Sequence, residues 1–219
     1  MRSFFYVLCA GIFCFISCTQ DKLEINNYLV CPVFSYEDDS GKAEFRICAF
    51  VQTAGEIGYL KLIQLSSENL GLVWTISDFQ YIYSSQGKWA GSSALRIPRN
   101  SSLPHGKFLL TIVDSTTDIV EKSIYLNYPK KILMENYKTF LTLEDYQKVL
   151  QQYIVFYDVD GMLLHCEPKS AEKSISLYAE NISNAVLMRT LWISNDKTYA
   201  VLSPPLNLDK KAKSAKKKS

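Results

Sequence analysis

The sequence predicts a mainly β protein: an antiparallel β-sandwich over residues 27–128, then a small α+β unit over residues 129–208. Three observations carry this. Short apolar runs rich in β-branched and aromatic residues recur through the first half, the composition of strands that pack on a pleated surface. Turn-forming clusters separate them: DDSG, SSENLG, SSQGKW, PRNSSLPHG and DSTTD. Their Gly, Pro, Asn, Asp and Ser residues supply the backbone angles and local hydrogen bonds of chain reversals. About eight strands with a reversal every ten to fifteen residues fit two packed antiparallel sheets.

The chain opens Met1-Arg2, then SFFYVLCAGIFCFIS before Cys18. One basic residue, an apolar run and a small residue make a secretory signal over residues 1–17. At about fifteen residues the run is short of the roughly twenty that a membrane-spanning helix needs. Phe15-Ile16-Ser17-Cys18 puts a small residue before a cysteine. This resembles the bacterial lipoprotein signal in its relaxed form, with Phe where Leu is usual. The resemblance implies lipid on Cys18, a tether over residues 18–26, and a body anchored to a bacterial membrane in the cell envelope. Thr19 stands where some bacteria use Asp to retain lipoproteins at the inner membrane, which points to the outer membrane.

The candidate strands follow in order as YLVCPVFSY, AEFRICAFVQT, GYLKLIQL, GLVWTIS, FQYIY, SALRI, GKFLLTIVD and IVEKSIYLNY. Folding the first two about Asp39 and Ser40 sets Cys31 opposite Cys48, a candidate cross-strand disulfide in an oxidising compartment. Cys166 is then left over. Its neighbour His165 would point to the opposite face of a strand, so Cys166 is read as a buried structural thiol.

Pro104-His105-Gly106-Lys107-Phe108-Leu109-Leu110-Thr111-Ile112-Val113-Asp114 and the short turn after it resemble the penultimate strand of bacterial immunoglobulin-like domains, which often read P-x-G-x-Y/F-x-L-x-V-x-D. Trp74 lies in an earlier strand, where such domains often bury an aromatic residue. The resemblance covers about 100 residues and implies an immunoglobulin-like sandwich. Fold analogy implies no function.

Pro129-Lys130-Lys131 marks the boundary of the second unit. Thr142-Leu143-Glu144-Asp145 reads as a helix N-cap with an acidic residue following. Leu143, Tyr146, Val149 and Leu150 would then share a face of a helix ending near Gln152. SAEKSISLYAENI fits either a helix or a strand. AVLMRTLWIS and TYAVLS around Asn195-Asp196-Lys197 form a hairpin pattern, and Pro204-Pro205 ends the ordered part.

Between these lies IVFYDVDGMLLHC, residues 154–166. Asp158-Val159-Asp160-Gly161 after an apolar strand resembles the first motif of the haloacid-dehalogenase phosphatases. There the first Asp attacks phosphorus, the second acts as acid and base, and Mg²⁺ sits between them. The resemblance implies a parallel-stranded core with further motif residues downstream. Only 58 residues follow Gly161, too few for several crossovers of a dozen or more residues each. Met162 stands where the family has Thr. A hairpin needs only local chemistry: Asp160-Gly161 is a favoured two-residue turn, pairing Val159 with Met162. The hairpin is the preferred reading.

The residue types exclude several other chemistries. Two His with no H-E-x-x-H or C-x-x-C pattern give no zinc site, and no cofactor or catalytic set is assigned. Trp89, in QGKWAGSS, is the candidate ligand or partner contact, an aromatic in a loop-like stretch. The chain holds 24 basic and 22 acidic residues. With Arg2 and residues 209–219 set aside, 17 basic residues face 21 acidic ones. The near-neutral total therefore divides into an acidic body and a tail with six Lys and one Asp. Such a tail buries no apolar area and is expected to be disordered. An anionic surface is its natural partner, and export to the envelope argues against nucleic acid. These readings lead to a non-catalytic, lipid-anchored envelope protein with a structural role or a protein partner. The alternative is a carbohydrate-binding sandwich using exposed aromatics, and the phosphatase is a remote third.

Overall fold

The computed structural model describes residues 22–208 apart from 55, 85–86, 98–102, 144–147, 171–181 and 183. The signal segment, Cys18 and the Lys-rich tail lie outside the described residues. So does most of SAEKSISLYAENI.

The molecule is a mainly β, antiparallel sandwich. Its larger sheet begins with β1 (Glu24–Ser35) and β2 (Glu44–Ala54). β1 thus starts inside the stretch expected to be tether. The smaller sheet has β3 (Leu60–Ser67) between β4 (Leu72–Ile76) and β7 (Gly106–Asp114), with β8 (Ile119–Leu126) beyond β7. β5 (Gln80–Ser84) and β6 (Gly87–Arg96) return to the larger sheet, where β6 pairs with β2 and β5 forms one edge. Alternation sets the packing: successive side chains on a strand point to opposite faces. Phe34, Ile47, Ala49 and Val51 from the larger sheet meet Ile63, Leu65, Trp74, Phe108, Leu110 and Ile112 from the smaller in one core. Trp74 is buried, and its indole Nε1 donates to the Arg96 carbonyl at 2.7 Å, which satisfies its one polar atom across the two sheets.

The second half of the chain extends the larger sheet. β9 (Leu150–Tyr157), β10 (Leu163–Pro168), β11 (Leu187–Ser194) and β12 (Ala200–Leu202) run in the order β10-β9-β11-β12-β1, and β13 (Leu206–Asn207) pairs with β11. β12 joins β1 in parallel, setting Val33 beside Ala200 and Ser35 beside Leu202. Trp192, Tyr199, Val201, Leu150, Ile132 and Phe140 enter the same core as the sandwich residues. The rings interlock there: Phe34 lies 5.3 Å from Tyr128 and 6.4 Å from Tyr199, and Phe140 lies 5.6 Å from Trp192.

The helix differs from its expected position. α1 spans Tyr137–Thr142, and Asn136 caps it by accepting from the Thr139 N–H at 2.9 Å. Thr142 therefore ends the helix rather than beginning one, and residues 150–152 belong to β9. Leu150, Ile154 and Phe156 also fit a two-residue alternation, and pairing along β11 decides in favour of the strand. The expected hairpin around Asn195-Asp196-Lys197 is present as β11 and β12.

Candidate functional site

Cys31 and Cys48 are direct Cα partners across β1 and β2, as the hairpin count predicts. Both are free thiols in the structure. They lie on the face of the larger sheet turned away from the core, since their neighbours Phe34 and Ile47 point into it. Burial pushes both thiols up, Cys48 to about 12, so neither is a ready nucleophile. Cys166 is exposed on the edge strand β10 rather than buried. Among the described residues β10 has no strand on its outer side, and the sequence gives no sign that β10 stands last in that row. Its thiol is still raised, first by desolvation.

The DVDG stretch sits in an antiparallel hairpin between β9 and β10. The loop has three residues rather than two. The Asp158 N–H donates to the Met162 carbonyl at 3.0 Å, and the Gly161 N–H to the Asp158 carbonyl at 3.2 Å. Gly161 takes φ +77, the left-handed position that closes such three-residue loops. The Asp158 carboxylate accepts from the N–H groups of Asp160 and Met162, at 3.0 and 2.8 Å. Asp158 is thus committed to shaping the loop. The geometry that the phosphatase motif requires, two Asp together at the end of a parallel strand, is not the geometry of this loop.

Trp89 lies in strand β6, not in a loop, and is half-buried. It pairs with Ile82 of β5. The flanking pairs, Tyr81 with Ala90 and Tyr83 with Lys88, lie on the opposite face. There Tyr81 is 45% and Tyr83 70% exposed. With Gln52, Glu56, Gly58 and Lys88 they line an open cleft of about 500 Å³. Lys88 Nζ stands 5.9 Å from the centre of the Tyr83 ring, within reach of a cation–π contact. The two tyrosines share a face because they are two residues apart on a strand. That spacing is legible in FQYIY. Among the described residues, β5 has no strand on its outer side. Its exposed run Tyr81-Ile82-Tyr83 carries no charge, Pro or bulge, the devices by which most edge strands are blunted.

Among the described residues no three His, Cys, Asp or Glu side chains gather as metal ligands. Comparison with protein families, curated proteins and solved structures finds no match.

Proposed function

We propose that this chain is a non-catalytic, lipid-anchored envelope protein that binds a protein partner through the β5 edge. The observation that carries this reading is the unblunted, apolar edge strand. A partner strand adding there would bond the backbone groups on the outer side of β5, where no strand stands among the described residues, and bury Tyr81, Ile82 and Tyr83. The signal-like N-terminus with Cys18 supports the anchor. Production in a lipoprotein-processing bacterium, beside a Cys18→Ser variant, tests it by intact mass and detergent partition. The wild type is expected to lose residues 1–17, gain acyl mass and enter the detergent phase, while the variant does none of these. Cross-linking in the envelope tests the edge: Ile82→Lys is expected to remove the cross-linked partner, and an unchanged pattern rejects the site.

One observation favours a second reading. Tyr81 and Tyr83 share an exposed face beside the polar side chains of Gln52, Glu56 and Lys88, an arrangement that stacks on a sugar ring and hydrogen-bonds its hydroxyls. Binding of envelope glycans that is lost in Tyr83→Ala and kept in Ile82→Lys would select this reading over strand addition.

In the same oxidising setting we propose that Cys31 and Cys48 form a disulfide. The two thiols lose two hydrogens to a disulfide-carrying oxidant, which is reduced to its dithiol. Protein isolated without reductant is expected to alkylate at Cys166 alone among Cys31, Cys48 and Cys166 once unfolded. Alkylation at all three would reject the pairing.

A further inference from the structure

β5 reads Gln80-Tyr81-Ile82-Tyr83-Ser84, a segment without charge, Pro or Gly. Uncharged segments of high β-propensity pair readily with copies of themselves. Ala90, the β6 partner of Tyr81, lies in the core, so Tyr81 and Tyr83 project from the core-facing side of the larger sheet. They are nonetheless 45% and 70% exposed, and Ile82, on the other side, is 47% exposed. Both sides of the sheet therefore present apolar surface to solvent along this margin.

The two margins of the larger sheet differ. The other is β10, where the register shifts between Leu163 and His165 and the strand ends on Glu167 and Pro168. A bulge, a charge and a proline are devices that blunt an edge. The unblunted β5 therefore does not find its complement in β10 of another copy, which disfavours head-to-tail growth. It does complement itself. In an antiparallel pair about a twofold axis through Ile82, Tyr81 of one copy stands opposite Tyr83 of the other, and Gln80 opposite Ser84. The two Tyr pairs fall on one face, and directly opposed aromatic side chains stabilise an antiparallel ladder. Charge does not oppose the pairing. Lys88 is the β6 partner of Tyr83, so the two copies of Lys88 would lie three strand spacings and two residues apart. That is about 16 Å, beyond the screening length of about 10 Å at 0.1 M salt.

We propose that β5 pairs antiparallel with β5 of a second copy of this chain, closing a twofold dimer in which the two larger sheets run on as one. The inference rests on the reading of β5 as a pairing edge and names its partner. Backbone hydrogen bonds across the seam join the two edges, and the assembly closes at two subunits, the commonest oligomer symmetry. The axis stands perpendicular to the sheet. The clefts beside Tyr81 and Tyr83 of the two copies therefore open on the same side and merge, with four tyrosines flanked by one Lys88 from each copy. Five residues a side fall below the roughly 800 Å² per partner of a standard interface, so the dimer is expected to be reversible.

The test uses the full chain with Ile82→Cys, produced in a lipoprotein-processing bacterium. Opposed residues of an antiparallel pair hold their Cα atoms about 4.5–5.5 Å apart, inside the window that a disulfide spans. The lysate is oxidised with copper phenanthroline, remaining thiols are blocked, and the linked peptides are mapped by mass. Residue 82 is expected to link to residue 82 of a second copy. The control is Lys61→Cys, an exposed site on β3, which lies between β4 and β7. The 82–82 link should exceed the control's self-link roughly tenfold or more, because a seated pair holds its thiols at high effective concentration. With Tyr81→Cys and Tyr83→Cys produced together on copies of different mass, 81 should link to 83 in preference to 81–81 or 83–83. A thermal melt under reductant that matches the wild type shows that each variant is folded. An 82–82 link no stronger than the Lys61→Cys control, or no preference for 81–83, overturns the proposal. If that link is absent while Ile82→Lys still removes a different cross-linked protein, the second copy alone is rejected. If Ile82→Lys also changes nothing, the pairing edge falls with it.

Discussion

Arg189 and Arg46 occupy the outer face of the larger sheet under opposite conditions. The Arg189 side chain is 12% exposed, and its Nε and Nη2 groups are hydrogen-bonded. Nε donates to the Ser203 carbonyl at 2.6 Å, and Nη2 to the Tyr36 carbonyl at 2.6 Å and Ser35 Oγ at 2.8 Å. Glu37 stands 3.6 Å away as counter-ion. Arg189 thereby ties β11 to the end of β1. Arg46 has a buried Nε with no hydrogen-bond partner, and its charge acts unfavourably on Arg189. Removing a buried cation that is hydrogen-bonded strands its acceptors, whereas removing a side chain with one orphaned buried N–H relieves that group's penalty. Arg189→Met is therefore expected to cost roughly 3 kcal/mol, and Arg46→Met less than about 1 kcal/mol, or to stabilise. Denaturant unfolding of both variants checks the order, and equal losses would contradict it. Asp114 supplies a pH test. Its carboxylate accepts from Thr116 Oγ1 at 2.7 Å and from the Thr116 and Asp118 N–H groups at 2.8 and 3.0 Å. The Thr116 hydroxyl contributes most to holding its pKa below the ordinary carboxylate value. A folded pKa below the unfolded value of about 3.9 means stabilisation present above that pH and lost as pH falls through the folded pKa. The melting-point difference between wild type and Asp114→Asn is expected to be steady near neutrality and to shrink below about pH 4.

Single elements show where local pattern was enough and where it was not. The β1–β2 register was readable because it depends on a local count about one turn, with no bulge between that turn and Cys31 and Cys48. The alternating strands of the smaller sheet were readable for the same reason: one face of each is buried. The three-residue β9–β10 loop was read one residue short, since Asp-Gly serves a two-residue turn or, with Gly left-handed, the end of a three-residue loop. The Thr142 helix was misplaced because a helical spacing and a two-residue alternation overlap near Leu150, and only pairing with β11 separates them. Trp89 looked loop-like because Gly87 and Gly91 flank it. Gly91 has a different role. A Cβ there would lie 2.6 Å from the Phe50 Cα and meet the Ala49 carbonyl oxygen, where the β2–β6 register shifts between Ile47 and Ala49. Backbone cannot yield as a flexible side chain can. Gly91→Ala is therefore expected to cost roughly 3 kcal/mol, whereas Gly58→Ala, with no neighbour near its added methyl, should stay within about 0.5 kcal/mol. Thermal melts of the pair check the contrast, and an equal, small effect at Gly91 would show that the two strands can part at that point.

The whole molecule turns on the parallel pairing of β1 with β12, which no local pattern announces. It joins strands separated by more than half of the chain, and loop closure over that distance must be offset by burial elsewhere. The rings supply that burial. Phe34 of β1 contacts Tyr128 and Tyr199, and Tyr36 contacts Tyr137 and Phe140. The Tyr36 hydroxyl also donates to the Ile132 and Glu135 carbonyls at 3.2 and 3.3 Å. Tyr36, Tyr128 and Tyr199 are therefore structural residues of the core. A chain ending at Tyr128 would lose β12 from the edge of β1 and expose Phe34 and Tyr36, both fully buried in the complete molecule. Such a chain is expected not to unfold as a sharp, single transition, although it keeps all of β1 to β8. The complete chain is expected to unfold its two halves together, with near-ultraviolet circular dichroism and tryptophan fluorescence giving one midpoint. Trp74 reports from the smaller sheet and Trp192 from the extension. Single-tryptophan variants retaining one or the other, melted in denaturant, decide the matter: coincident curves mean that the extension and the sandwich fold as one unit, and an earlier transition at Trp192 would mean that the aromatic seam around Phe34 does not couple them.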